Sequence, residues 1–455
     1  MLQVGDLIEE TPAVCRFTDI SACCVGDFKW HKIAVMASSL IRGIDSPDMR
    51  SAGRDLLSVA LMDARNHTLH LASQLAAAGQ GGKGIADATA LAQINPLAWE
   101  LGHIGWFQEW WIARNMQRAR GRRCDPLATR LPSLEPSADR WWDDARVAPL
   151  ERHRLDLPDI ATLKTYLLTS LETTLEMLET AADTDEGLYF YRLALAHEDM
   201  HGEDLIVMAQ QCAVALDMDA PGPMTQRAPL MVPAARWNMG SAQGAGFTFD
   251  NECDEHLVAV PEFEIDAQVV SWSQYVEFVD DGGYDRAELW HPQGWQWLQA
   301  HAVAEGTEAG GRAPRFVQQI GVASGAVMQT RFGTPRRMLG GQCVTHVSWW
   351  EADAWCRWAG RRLPAEVEWE LAACTSQRRG FRWGDVWEWT ASTARPYPGF
   401  SGGPWRDYSE PCFGSHKVLR GASFATRERM KHPRFRNFQL PQSDQMFCGF
   451  RSCSL

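Results

Sequence analysis

The sequence predicts an α+β protein of two domains, a four-helix bundle followed by a domain of helices and short strands. Two observations carry this prediction. From about Ser51 to Asp217 the apolar residues recur at spacings of three and four, and beyond a proline-rich break the texture turns to tryptophan, glycine and short elements. Fourteen of the 21 tryptophans lie past that break, as expected for a domain held by aromatic packing rather than by long helices. The boundaries drawn from these shifts are an extension over 1–48, the bundle over 49–218, a linker over 219–236 and the second domain over 237–455.

Four helices are expected in the bundle, from Ala52 to Ala78, Pro96 to Ala119, Asp159 to Ala182 and Glu186 to Leu216. Pro96 suits the first turn of the second, and Asp159, after Pro158, is placed to cap the third. The segment APGPMTQRAPLMVPAARW marks the linker. Beyond it, Ser271 with Gln274 and Ser348 with Glu351 form capping-box patterns, and Gly282 and Gly360 stand where those two helices should stop. Residues 1–48 show weak periodicity and are assigned no function.

Composition narrows the function. Of the 455 residues 45% are hydrophobic and 22% charged, and no run approaches the roughly 18 apolar residues that a membrane span needs, so no membrane role is expected. A net charge of -13 argues against nucleic acid as the main partner, since phosphate binding needs concentrated lysine and arginine. Arg118, Arg120, Arg122 and Arg123 are read as a solvated helix end. Twelve cysteines without a CxxC pair point to a reducing compartment, and the first residues lack the pattern of a secretory signal, so the cytoplasm is the expected location.

Three histidines stand out. His197 and His201, four apart in LALAHEDMHGEDLIVMA, would share one helix face, and His103 lies in a second apolar helical run, NPLAWELGHIGWFQEWW. An antiparallel helix pair could bring all three together and leave a first-row metal with open positions. The plainer reading is that an HxxxH pair is solvated and a single histidine is a satisfied core residue. Glu198 and Asp199, between the pair, either hold a ligand's far nitrogen or lie exposed. His67 and His70 are read as structural.

The segments WELGHIGWFQEWW, HEDMHGE, WNMGS, HVSWWEADAWCRWAGRRLPAEVEWELA, GDVWEWTAS, KVLRGASFATR, RFRNF and GFRSC resemble, in order over roughly residues 50 to 455, the ergothioneine-type synthases. That resemblance implies a DinB-like four-helix bundle joined to a domain of the formylglycine-generating-enzyme fold. It also implies a non-haem iron(II) enzyme with dioxygen as co-substrate, which joins sulfur or selenium to imidazole C2 of Nα-trimethylhistidine (hercynine). The family's ligands map onto His103, His197 and His201. Its hercynine-binding positions map onto Asn437 and Phe438, and core packing is the rival role for Phe438. Arg420 and Arg451 are expected to be structural ion-pair residues of the fold.

This chain departs from the family at three places. Gln439 stands where thiol-using members carry an aspartate, which removes a partner for a donor's ammonium group. Trp405 and Tyr408 stand where the family has two tyrosines three apart, so Trp405 cannot be an acid, and Tyr408 or water would serve. Met200 replaces a glutamine common in the family. With Gln439, it is carried over as lining the substrate pocket. These departures resemble the selenium-using branch and imply a selenosugar donor and selenoneine biosynthesis. The alternatives are a sulfoxide synthase using cysteine or γ-glutamylcysteine, a DinB-type metal-dependent thiol transferase, and a non-catalytic ligand-binding module.

Overall fold

The computed structural model describes residues 43–79, 94–242, 244, 246–305, 312–321 and 326–455, so most of the predicted extension lies outside the described residues. The helical half contains four long helices, α1 (Arg54–Ala77), α2 (Leu97–Gln108), α3 (Ile160–Glu179) and α4 (Asp185–Gln211). Asp159 caps α3 by accepting from Thr162 N, as its position predicted, and Thr184 does the same for α4 through Gly187 N.

Two of the four ends differ from the periodicity. Beyond Gln108 the second helix widens into a π turn over Glu109–Ala113, where Arg114 N reaches Glu109 O at 2.9 Å. The fourth stops at Gln211 because Ala213 turns left-handed, φ 56°, and Val214 N closes back on Ala209 O. Apolar spacing continues through both places, but backbone hydrogen bonding does not.

Among the described residues the C-terminal half contains four α-helices, α5 (Trp272–Asp280), α6 (Pro292–Glu305), α7 (Trp349–Trp358) and α8 (Glu366–Thr375). The capping boxes of Ser271 and Ser348 form as expected, and Gly282 and Gly360 adopt positive φ just past their helices. One four-stranded sheet runs β1 (Leu230–Val232), β4 (Phe263–Ile265), β13 (Cys453–Ser454), β8 (Arg361–Arg362). A second runs β11 (Asn437–Gln439), β10 (Lys417–Gly421), β9 (Trp387–Thr393), β12 (Cys448–Phe450), with only the β9–β12 pair parallel. A ribbon of β2 (Ala235–Met239) and β3 (His256–Val260) and a three-stranded meander of β5 (Val317–Gly321), β6 (Ala326–Arg331) and β7 (Thr334–Met338) complete the fold.

The expected linker over 219–236 is partly sheet. Leu230–Val232 pairs antiparallel with β4, and proline content alone hid an edge strand whose Val232 is buried. The two halves also share a core: one apolar cluster runs from Leu57 and Trp99 through Leu205 to Trp387 and Phe450. Arg420 and Arg451 are the structural ion-pair residues expected, paired with Glu370 and Glu388 in the interior. All nine cysteines among the described residues are free.

Candidate metal centre

Helix α2 carries two glycines in LAWELGHIGWFQ, each costing about 1 kcal/mol relative to alanine in a helix interior. The reason is close approach. A Cβ on Gly102 would sit 2.0 Å from the Trp142 indole, and one on Gly105 would sit 2.7 Å from the Tyr166 ring. Trp142 can therefore lie flat on α2, where its carbonyl oxygen accepts from His103 Nδ1 at 2.7 Å. A carbonyl only accepts, so Nδ1 holds the proton and the His103 Nε2 lone pair faces inward.

Helix α4 brings the other two imidazoles to the same point. His197 Nε2 lies 3.2 Å from His103 Nε2 and 3.1 Å from His201 Nε2. Nitrogens about 2.1 Å from a common ion and at right angles around it would lie about 3.0 Å apart, so each of these two spacings fits neighbouring ligand positions on one ion, and all three nitrogens lie within 4.8 Å of one another. His103 and His197 are 2% and 1% exposed, whereas the His201 side chain keeps 15%, which leaves the His201 edge as the solvent-facing side of the group. Burial, reinforced by the neighbouring imidazoles, lowers His103 to about 4 and His197 well below the ordinary histidine value. Both therefore stay neutral and keep their lone pairs.

His201 is oriented by Glu100, whose Oε2 accepts from Nδ1 at 2.6 Å, and Asn95 in turn donates to Glu100 Oε1. Burial opposes ionisation of Glu100, but the charge and hydrogen bond of His201 outweigh it and hold the carboxyl below its usual range, and Glu100 in turn raises His201 to about 9 against its burial, so a metal would take the His201 lone pair by displacing a proton. Sequence reasoning looked for this partner at Glu198 and Asp199. Neither serves. Glu198 is buried against Arg65, 2.7 Å, and Asp199 accepts twice from Arg429 at 2.6 and 2.7 Å. Glu100, three residues before His103 on the opposing helix, was the residue missed, and its signal was an acid in the middle of an apolar run.

Aromatic rings close the group. Phe107 stacks on His197 with centroids 3.5 Å apart and planes within 2°, and Trp99 stacks on His103 at 4.6 Å. From the C-terminal half, Trp405 meets His197 edge-on at 5.3 Å and Phe107 at 4.8 Å. The three imidazoles could hold a first-row metal such as iron. With Glu100 and the Trp142 carbonyl fixing two rings, the donor set and its outer partners are both present.

Residues 218–385 and 382–454 match the sulfatase-modifying factor enzyme 1-like domain. Hercynine oxygenase of Mycolicibacterium smegmatis is 31% identical over 412 residues, covering 79% of this chain and 90% of that protein. The chain belongs to the hercynine oxygenase family. The hercynine oxygenase of Mycobacterium tuberculosis is 30% identical with the same coverage, 79% and 90%. A formylglycine-generating enzyme of Streptomyces coelicolor is 31% identical over 168 residues, 36% of this chain and 52% of that protein.

Within this family frame, the remaining predicted site residues divide. Trp405 reaches the imidazoles. Tyr408 stacks behind it at 4.7 Å, one ring further out, and its hydroxyl is buried without a hydrogen-bond partner among the described residues. Burial raises the Tyr408 phenol well above its ordinary value. Met200 is half-buried beside His201. On β11, register pairs Asn437 with Leu419, Phe438 with Val418 and Gln439 with Lys417, so Asn437 and Gln439 share one face and Phe438 takes the other. Phe438 packs there with Val418 and Ala394, in a cluster apart from the one that contains Leu419 and the imidazole surroundings. The three were expected to line one pocket. Strand alternation turns Phe438 to the face opposite Asn437 and Gln439, where its contacts are core packing.

Proposed function

We propose that this chain is a non-haem iron(II) enzyme that uses dioxygen to join selenium from a selenosugar to imidazole C2 of hercynine, with the helical half as its DinB-like part. The observation that carries this reading is the convergence of three imidazole Nε2 atoms beside an aromatic wall. The names of the 30% and 31% identical relatives support hercynine as the acceptor. Iron held by His103, His197 and His201 would supply the oxidising power that imidazole C2, a poor electrophile, requires. The new Se–C bond replaces the donor's Se–H and the C2–H, so two protons and two electrons leave, and dioxygen would take both as hydrogen peroxide.

The chain's own groups orient and exclude. Trp142 and Glu100 hold the protons of His103 Nδ1 and His201 Nδ1 away from the centre. Phe107, Trp99 and Trp405 shut water from the buried side. The Tyr408 phenol keeps its proton across the physiological range and stacks on Trp405, so it is the proton source offered by the chain, with water as the other source. Asn437 and Gln439 present amides on one strand face, suited to a carboxylate and to the hydroxyls of a neutral sugar. Gln439 adds no negative charge there, which favours a donor without an ammonium group.

A thiol donor is the competing reading, and one assay separates the two. Iron(II)-loaded protein receives hercynine, air and, in turn, the selenosugar, γ-glutamylcysteine and cysteine, and the products are identified by mass. The selenosugar is expected to give the adduct. An adduct from a thiol alone overturns the donor assignment, and turnover under strict anoxia overturns the dioxygen requirement in favour of a thiol transferase.

A further inference from the structure

The fold pairs its deeply buried guanidiniums with carboxylates: Arg65 with Glu198, Arg420 with Glu370, Arg429 with Asp199, Arg436 with Glu366 and Arg451 with Glu388. Arg331, at the end of β6, lies outside that set. It is half-buried, its one hydrogen-bond contact is Gln329 Oε1 at 3.5 Å, and no carboxylate pairs with it among the described residues. A desolvated guanidinium without a counter-charge is costly, so an anion at this place would relieve the cost.

The surroundings are built rather than loose. Phe332 and Gly333, with φ 46° and 74°, make the two-residue turn between β6 and β7. A Cβ on Gly333 would sit 2.3 Å from Ala213 O, so glycine alone lets the turn abut the end of α4. Gln210 of α4 then clamps it, donating to Thr330 O at 3.0 Å and accepting from Phe332 N at 2.8 Å. The facing wall, residues 215–220, is tied down by Gln342 Nε2 donating to Pro221 O at 2.8 Å.

Between these walls lies a cavity of about 510 Å³, lined by Arg331, Arg336 and Arg337 and floored by Leu216, Met218 and Met338. Strand alternation puts Arg331 and Arg336 on one face of the hairpin. Neither Arg336 nor Arg337 has a carboxylate partner among the described residues, and Asp219 is the one acid in the lining. In a chain of net charge -13, three arginines against one aspartate is a local reversal of sign. We propose that this cavity binds a phosphomonoester with an apolar substituent, the dianion meeting the guanidiniums and the substituent lying on the Leu216–Met218–Met338 floor. A monocarboxylate would neutralise less of the same charge. The site is separate from the imidazole group.

The test uses phenyl phosphate, inorganic phosphate, benzoate and phenol in calorimetric titrations of the full chain. Phenyl phosphate is expected to bind at one site per chain, about 10-fold tighter than inorganic phosphate or benzoate, with phenol not binding. Replacing one guanidinium removes a charge-assisted bond, so Arg331→Gln should weaken phenyl phosphate by about 10- to 100-fold. If that variant does not fold, the double variant Arg336→Ser with Arg337→Ser, at two exposed positions, decides with the same expected direction. Absence of saturable binding, binding unchanged in the variants, or phenol binding as well as phenyl phosphate overturns the proposal.

Discussion

Helix α4 is gripped differently from its two sides. Toward the helical half it presents His197, His201 and Glu198, and each meets that half's own groups: His103, Glu100 and Arg65. Toward the C-terminal half it presents Asp199 and Glu203. Arg429 takes the first, and Trp387 Nε1, Ser423 Oγ and Thr426 Oγ1 all donate to the second, at 2.8, 2.5 and 2.7 Å. The helical half therefore holds the imidazole group, and the C-terminal half supplies the clamp and one aromatic wall. Ligand identity and ligand confinement are separable in this protein, and substitutions can address them one at a time.

The sharpest break in the comparison is His197→Ala, which is expected to abolish both iron retention and turnover while the clamp stays intact. Iron content after anaerobic reconstitution, read with product mass, checks it, and full iron retention would remove His197 from the ligand set. Next in size is Arg429→Met on the clamp side. It leaves Asp199 buried without a partner, a loss of about 3–5 kcal/mol measurable by urea denaturation. Removing both charges, Arg429→Met with Asp199→Leu, should recover most of that loss, because the penalty lies in the orphaned charge.

A smaller effect separates orientation from ligation. Glu100→Gln keeps the shape but removes the charge that holds His201, so iron(II) affinity should fall by about 10- to 100-fold with little change in stability. A competition titration against a chelator gives that number, and an unchanged affinity would show that His201 orients itself.

The smallest effect is confined to the C-terminal half. Burial, with Arg331 and Arg315 nearby, lowers His346 from 6.5 to about 3. The folded state holds this ring neutral, so as pH falls the unfolded chain takes the proton first. The contribution is complete above pH 6.5 and is lost progressively toward 3, roughly 1 kcal/mol by pH 5.5. Urea midpoints at pH 7.5 and 5.5 should therefore move less in His346→Gln than in the unsubstituted protein.

Much of this was legible along the chain. Periodicity located four helices, Asp159, Ser271 and Ser348 announced their caps, and the four-residue spacing of His197 and His201 put both on one face, because these features depend on backbone geometry within a few residues. The strand at 230–232 was hidden because an edge strand is defined by the partner that hydrogen-bonds it, 31 residues away in the case of Val232 and Phe263, and by neither composition nor spacing.

The sequence by itself determined which residue types were available: three imidazoles in apolar helical runs, the acids around them, and a tryptophan-rich second half. Only the tertiary structure decided who meets whom. Glu198 and Asp199 adjoin the ligands in sequence, yet helix geometry turns them toward Arg65 and Arg429, while Glu100 arrives from another helix to hold His201. Phe438 sits between Asn437 and Gln439 in the chain, and the pleat sends it to the opposite face. Neighbours along the chain diverge by fixed backbone angles, and partners across the fold are chosen by packing, which no local pattern encodes.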